Sequence, residues 1–136
     1  PIIALSQLSR QVEQREDKVV ITVGEGGAFP SGGADLTGEA RDVMARLAFA
    51  AMGEASEIVV TGHTDSVPLG AASPYRDNWG LAAARASSVV RELSGSGLIE
   101  PERLTATSRG ESMPVAENDT ASGRAQNRRI EIEITY

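Results

Sequence analysis

The chain has 136 residues, a formal net charge of −6 and no cysteine. That length allows one domain with a buried core, and the acidic balance argues against nonspecific nucleic-acid binding, which needs a basic surface. The lack of cysteine excludes disulfides and thiolate metal sites, and a single histidine excludes a multi-histidine metal site. No apolar run approaches the roughly 20 residues that span a bilayer. The chain starts without Met, so we interpret it as a fragment or processed form, and any membrane anchor or targeting segment could lie outside it.

The N-terminal segment is predicted to be an amphipathic helix over residues 2–17. Its apolar residues recur at helical spacing, namely Ile2, Leu5, Leu8 and Val12. We interpret residues 1–17 as a linker helix that precedes a folded domain at residues 18–136. A helix packed on that domain and a dimer contact are the alternatives.

The next part of the chain alternates between strand, loop and helix patterns. Alternating apolar residues predict a strand over residues 18–23. The glycine-rich loop at 24–33 has neither a phosphate-loop Lys-Ser/Thr pair nor GxGxxG spacing, so no nucleotide cofactor is expected. Thr37 is a good helix cap, and the apolar spacing after it predicts a helix that ends near Gly53. A continuous apolar run then predicts an interior strand over 57–63.

The C-terminal half continues with a helix and two further strands. The second long helix opens near Asn78, with Asp77 or Asn78 as its cap, and glycines end it beyond Leu93. A weaker strand is predicted over 103–110, and a short helical turn over 122–128. Strict alternation at 130–134 predicts a strand with one buried face and one exposed face.

These elements predict an α+β fold. Strands that are separated by crossover helices should run parallel, whereas the alternating polarity of the last strand suits antiparallel pairing. The economical arrangement has two layers, a mixed β-sheet with helices on one face, with a βαβαββ core and the additional N-terminal helix.

One stretch, Gly62-His63-Thr64-Asp65, carries the residues with the most chemical potential. His63 and Asp65 could act as acid and base or as two metal ligands. However, the sequence has no second histidine and no GxSxG nucleophile context, and no further metal ligands are evident. We therefore predict neither an enzyme nor a metal site, and we interpret His63 as a structural residue at a strand end.

Asp65 is a stronger candidate for ligand binding. Ligands of sheet-and-helix domains tend to bind beyond the carboxyl ends of strands, where Asp65 stands. Arg85 on the following helix could face it across a crevice and take a carboxylate through two parallel hydrogen bonds. Such a pair suits a ligand that carries both an ammonium and a carboxylate, with Thr64 and Asn78 adding hydrogen bonds. The alternatives are a structural Asp65–Arg85 salt bridge without a ligand and, at Arg128, a solvated basic turn.

Several motifs together resemble the OmpA-like peptidoglycan-binding domain family. In chain order they are FPSG at 29–32, VTGHTD at 60–65, ARA at 84–86, GRA at 123–125 and NRRIEI at 127–132. The resemblance covers roughly residues 19–135. Within the family, the chain is similar to the MotB-type flagellar stator branch, on the loop that begins SVPL at 66–69, on NW at 78–79, and on Pro114 followed by NDT at 118–120.

The resemblance implies noncovalent binding of peptidoglycan, and from the residues we expect no enzymatic activity, metal or cofactor. In that family, an aspartate and an arginine hold the ammonium and the carboxylate of diaminopimelate in the peptide stem. Here those positions are Asp65 and Arg85, and Thr64, Asn78 and Arg128 fall at supporting positions.

The resemblance also implies where the protein works and with what. It implies a periplasmic module of an inner-membrane protein that forms a homodimer and anchors a flagellar motor stator unit to the cell wall. Its channel partner would be bound through a membrane segment outside this sequence. The alternatives are a wall anchor of another cell-envelope protein (an outer-membrane protein, a lipoprotein or a secretion system) or a dimerisation module with a vestigial pocket.

Overall fold

A mixed β-sheet of five strands forms the base of the computed structural model, which describes residues 10–15, 17–53 and 57–136. The order of the strands across the sheet is β1-β2-β5-β3-β4. Only β3 and β4 pair in parallel, and the other three pairs in the described part of the chain are antiparallel. The strands are β1 (Arg10–Arg15), β2 (Lys18–Gly24), β3 (Glu57–His63), β4 (Leu104–Gly110) and β5 (Arg129–Thr135).

Each of the three α-helices in the described residues begins at a side-chain cap, and the sequence predicts two of these caps, Thr37 and Asp77. The helices are α1 (Gly38–Ala51), α2 (Asn78–Gly95) and α3 (Ala121–Asn127), and a short 3₁₀ turn spans Pro101–Arg103. Thr37, Asp77 and Thr120 are the respective N-caps, and each side chain accepts a hydrogen bond from the backbone N–H three residues later.

One face of the sheet is buried beneath α1 and α2. Adjacent strands place Ile21, Ile132 and Val60 in one row across the sheet, and all three are almost completely buried. They join a core to which the helices contribute, among others, Val43, Met44, Leu47, Val89 and Leu93. The predicted α+β fold with helices on one face of a mixed sheet is therefore confirmed for the described residues.

The position of β5 explains which pairs are parallel. The predicted parallel pairing holds for β3 and β4, which α2 connects. The strands on either side of α1, β2 and β3, are not neighbours, because β5 lies between them and pairs antiparallel with both. The carboxyl ends of β2 and β3 consequently lie at the same edge of the sheet.

The predicted N-terminal helix is wrong where the structure describes it. Residues 10–15 form β1, which pairs antiparallel with β2 from Arg10 opposite Val23 to Arg15 opposite Lys18. Backbone pairing along the edge of β2 overrides a helical pattern that rests mainly on Ile2, Leu5 and Leu8. Those three residues, with the rest of 1–9 and residue 16, lie outside the described residues. The expected boundary at residue 18 falls between two paired strands.

Gly62 brings α2 close to β3. A Cβ atom added there would lie 2.1 Å from the carbonyl oxygen of Ala82, a separation that atoms cannot adopt. The glycine therefore allows the backbone of α2 to approach the strand end directly. As a result, the first turns of α2 lie beside the residues that follow β3.

None of the helices among the described residues combines the length and apolar character that crossing a membrane requires.

Candidate functional site

A cavity of about 410 Å³ lies at the edge of the sheet where β2 and β3 end. Its charged lining residues are Glu25, Asp65, Arg85 and Arg128, and we call it the charged cavity. The other lining residues are Ser31, Gly32, Thr64, Val67, Pro68, Leu69, Gly70, Asn78 and Leu81. All five predicted site residues therefore line a single cavity.

Asp65 follows the last residues of β3, and both of its carboxylate oxygens are occupied. Oδ1 accepts a hydrogen bond of 3.0 Å from the backbone N–H of Val67, which closes a tight turn. Oδ2 accepts a hydrogen bond of 2.7 Å from Nη1 of Arg128. The carboxylate is thus fixed in orientation and faces a guanidinium.

Arg85, two turns into α2, is enclosed by the loop that follows β2. Its Nε donates to the carbonyl oxygen of Gly33 at 2.7 Å, and Nη1 donates to Oε2 of Glu25 at 2.6 Å. Its Nη2 makes a longer contact, 3.4 Å, with the carbonyl oxygen of Pro30. Its guanidinium carbon lies 5.0 Å from the centre of the Phe29 ring, in cation–π range. The loop therefore holds the guanidinium rigidly, at only 3% exposure.

Asp65 and Arg85 are connected through two other charged residues. Arg128 donates to Asp65 through Nη1 and to Oε1 of Glu25 through Nε, the second at 3.2 Å. Glu25 in turn accepts from Arg85 through its other oxygen. The charges alternate along the series Asp65, Arg128, Glu25, Arg85, and their sum is zero. Asp65 and Arg85, both among the described residues, form no direct salt bridge. That salt bridge was one of the alternatives from the sequence.

Glu25 is the site residue that sequence reasoning missed. It lies in the glycine-rich segment after β2, which composition identifies only as a loop. The available signal was its place directly after a strand end, like that of Asp65. Recognising it requires knowing that β2 and β3 end at the same edge of the sheet, which depends on the insertion of β5 between them.

Arg128 makes more contacts than the alternative interpretation, a solvated basic turn, implies. Its side chain is 32% exposed, against 20% for Glu25, 12% for Asp65 and 3% for Arg85, so it is the most accessible of the four charges. The hydrogen bond to Asp65 raises the pKa of the Arg128 guanidinium, with a smaller contribution from Glu25 and against the effect of burial. Arg128 therefore stays charged and bridges both acids.

Thr64 and Asn78 line the charged cavity and form hydrogen bonds with the backbone of the loop that follows β3. The Thr64 hydroxyl donates to the carbonyl oxygen of Asp65 at 2.8 Å. Asn78 Nδ2 lies within hydrogen-bond distance of the carbonyl oxygens of Asp65 and Val67 and of Oε1 of Glu111, at 3.3, 3.0 and 3.0 Å. Both residues are buried. Their polar atoms hold the loop after β3 in place.

Asn127 ties the segment before α3 to the same loop. Its side chain makes four hydrogen bonds, accepting from the backbone N–H groups of Val115 and Ala116 and donating to Ala116 O and Asn118 Oδ1. Asn118 Oδ1 also accepts from the backbone N–H of Ser66, next to Asp65. This network explains the two asparagines in the sequence motifs.

His63 lies outside the charged cavity. It is buried, and its Nε2 lies 3.5 Å from Oε1 of Glu131 on the neighbouring strand β5. This contact and the hydrogen bond from Arg129 hold the pKa of Glu131 at about 2, against the opposing effect of burial. Neither ring nitrogen has a hydrogen-bond partner among the described residues, so the structural role of His63 stays a prediction. Within the described ranges, no three His, Asp or Glu side chains are grouped so that they could hold a metal ion.

Comparison with known proteins agrees with the resemblance found in the sequence. A sequence model of the OmpA family matches residues 28–128. Motility protein B of Bacillus subtilis is 31% identical over 134 residues, which are 94% of this chain and 50% of that protein. The chain spans about half the length of the curated relatives that it matches over nearly its whole length.

Two solved structures are similar over nearly the whole chain. A MotB-like protein from Desulfovibrio vulgaris has a TM-score of 0.86 and 32% identity, covering 98% of this chain and 85% of that one. The cell wall anchor of the type VI secretion system (T6SS) from Pseudomonas aeruginosa has a TM-score of 0.82 and 34% identity, covering 96% of this chain and 89% of that one.

Proposed function

Because the chain belongs to the OmpA family, we propose that it is a wall-anchoring domain that binds peptidoglycan noncovalently in the charged cavity. The observation that carries this proposal is the alternating series of two acids and two guanidinium groups at the strand ends. We propose binding rather than catalysis, because His63 lies outside the charged cavity and the four charged groups of the cavity bind one another.

The ligand that best fits these charges is the free end of diaminopimelate in the peptide stem. That end carries an ammonium and a carboxylate on one carbon atom. Asp65 would bind the ammonium and Arg85 the carboxylate, and Arg128 would lie next to Asp65 and Glu25. A zwitterion adds one charge of each sign, so every buried charge in the cavity can keep an opposite partner.

The domain as a whole suits an anchor for a flagellar stator. Motility protein B is a relative along nearly the entire chain, and the structural similarity to a MotB-like protein is of the same extent. On this proposal the domain works in the periplasm as a homodimer. A membrane segment elsewhere in the full-length protein would anchor it in the inner membrane and bind the channel subunit.

The similarity to the T6SS wall anchor favours a second candidate, an anchor for a secretion system. The two candidates share the wall-binding step and differ in the rest of the protein. A single transmembrane helix carrying one aspartate, in the sequence before Pro1 of the full-length protein, would support the stator; a different membrane segment would support the second candidate.

Co-sedimentation with purified cell-wall sacculi tests the shared step. Loss of one partner from a desolvated charge pair costs about 2–5 kcal/mol of binding free energy, so Asp65→Ala should leave the domain in the supernatant. The matched control is Asp42→Ala, which removes an exposed aspartate from α1 and should pellet like the wild type. Unchanged pelleting of a folded Asp65→Ala domain would refute the assigned site. If the wild type itself stays in the supernatant, the domain is better explained as a dimerisation module with a vestigial pocket.

A further inference from the structure

We infer that Glu25 determines which ligands the charged cavity accepts. Its carboxylate neutralises one of the two guanidinium groups, so a ligand must bring an ammonium together with its carboxylate. This inference rests on the proposed function and names the residue that selects among wall-peptide ligands at that site.

The backbone around Glu25 fixes it at the cavity. Its N–H donates to the carbonyl oxygen of Arg128 at 3.0 Å, and its own carbonyl oxygen accepts from the N–H groups of Ala28 and Phe29. These three hydrogen bonds hold the residue at the junction between β2 and the loop around Arg85. The side chain consequently starts from a fixed point beside both guanidinium groups.

The carboxylate of Glu25 uses both oxygens for this purpose. Oε2 lies 2.6 Å from Nη1 of Arg85, and Oε1 lies 3.2 Å from Nε of Arg128. The contact with Arg85 is as short as strong charge-assisted hydrogen bonds are in proteins, whereas the contact with Arg128 is longer. An incoming carboxylate therefore meets guanidinium groups that already hold an anion.

The balance of charge gives the selectivity its direction. Among the described residues that line the cavity, only Glu25, Asp65, Arg85 and Arg128 are charged. A ligand with a carboxylate alone would leave the cavity with three negative and two positive groups in a partly buried space, where unpaired charges are costly. A ligand that also carries an ammonium restores the balance. Without the charge of Glu25, the cavity would instead have one positive charge in excess and would favour the carboxylate alone.

Calorimetric titration with two stem peptides tests this inference. The first is a tripeptide that ends in meso-diaminopimelate, and the second is the same peptide ending in 2-aminopimelate, which lacks the distal ammonium and keeps the distal carboxylate. We expect the wild-type domain to bind the first at least about tenfold more tightly than the second. In Glu25→Gln, the peptide without the ammonium should gain about tenfold in affinity, so that the preference largely disappears.

Two further variants keep the test independent of folding. Glu25→Asp retains the charge on a shorter side chain, and it should retain the preference for the diaminopimelate peptide. Glu102→Gln removes an exposed acid of the same type and should behave like the wild type. Thermal melts establish that each variant is folded before its titration.

The outcomes separate the inference from the function on which it rests. If the wild type binds the diaminopimelate peptide and Glu25→Gln discriminates between the two peptides just as strongly, Glu25 does not set the requirement, and the proposed wall binding stands. If the wild type binds neither peptide, both the proposed function and this inference are overturned.

Discussion

Nη1 of Arg128 lies 2.7 Å from Oδ2 of Asp65, so the acid proposed to hold the ligand's ammonium is already paired in the free domain. Ligand binding would therefore be an exchange of partners among charges that are present from the start. In such an exchange every charge keeps an opposite partner only if the ligand brings one positive and one negative charge. The consequence is selectivity for a zwitterion more than high affinity.

Arg128 should matter for stability as well as for binding. Arg128→Ala leaves Asp65 without its guanidinium and removes one of the two partners of Glu25. Because Arg128 is about one-third exposed, we expect a loss of only about 1–2 kcal/mol in the free energy of unfolding. Urea denaturation measures this loss. Arg128→Lys should recover part of it at most, since an ammonium lacks the fork that reaches both acids; full recovery by Lys would contradict the bridging role.

Gly62→Ala should destabilise the domain by about 1–3 kcal/mol or more. The new methyl group would lie 2.1 Å from the carbonyl oxygen of Ala82, so α2 must move away from β3. This movement would also displace Arg85 and weaken retention on sacculi. Gly26→Ala is the control, because a Cβ there meets no atom within 4 Å. Equal thermal melting temperatures for the two variants would show that the contact between α2 and β3 is not tight.

Asn127→Ala should cost about 2–4 kcal/mol, because it leaves the N–H groups of Val115 and Ala116 without their acceptor. Amide hydrogen exchange should accelerate at residues 115–118 before it accelerates in the strands. Gln126→Ala alters the exposed neighbour in α3 and should leave exchange at 115–118 unchanged. The same exchange rates in Asn127→Ala and the wild type would contradict the role assigned to this side chain.

Glu131 should make the domain sensitive to acid. Its pKa is held at about 2 in the folded protein, below its ordinary value of 4.5. A carboxyl whose pKa falls on folding stabilises the fold above its unfolded pKa, and this stabilisation is lost as the pH drops from about 4.5 towards 2. Glu131→Gln should therefore show a shallower loss of melting temperature across that interval. Parallel curves for the variant and the wild type would show that Glu131 does not contribute.

Local patterns predict most of the fold. The caps at Thr37 and Asp77 and the alternation in β5 are encoded by neighbouring residues, and the structure confirms these elements. The strand β1 was missed because its partner, the edge of β2, is a tertiary feature that no periodicity in residues 2–17 reveals.

The charged cavity was predictable only in part. Asp65 and Arg85 were placed together from the order of strand and helix, and they do line the same cavity. The contacts that connect them were harder to predict, because Glu25 lies 60 residues from Arg85 and 103 from Arg128 in the sequence. Ion pairs across such separations depend on strand order, which the sequence patterns did not specify.

The central claim is that the domain recognises the zwitterionic end of diaminopimelate in the cell wall. The most direct test compares the co-sedimentation of the wild-type domain with two kinds of purified sacculi, one containing diaminopimelate and one containing lysine at the same position of the peptide. Lysine presents the ammonium without the carboxylate, so Arg85 and Arg128 would gain no partner. The account predicts retention on diaminopimelate walls and little or none on lysine walls. Equal retention on both would contradict it.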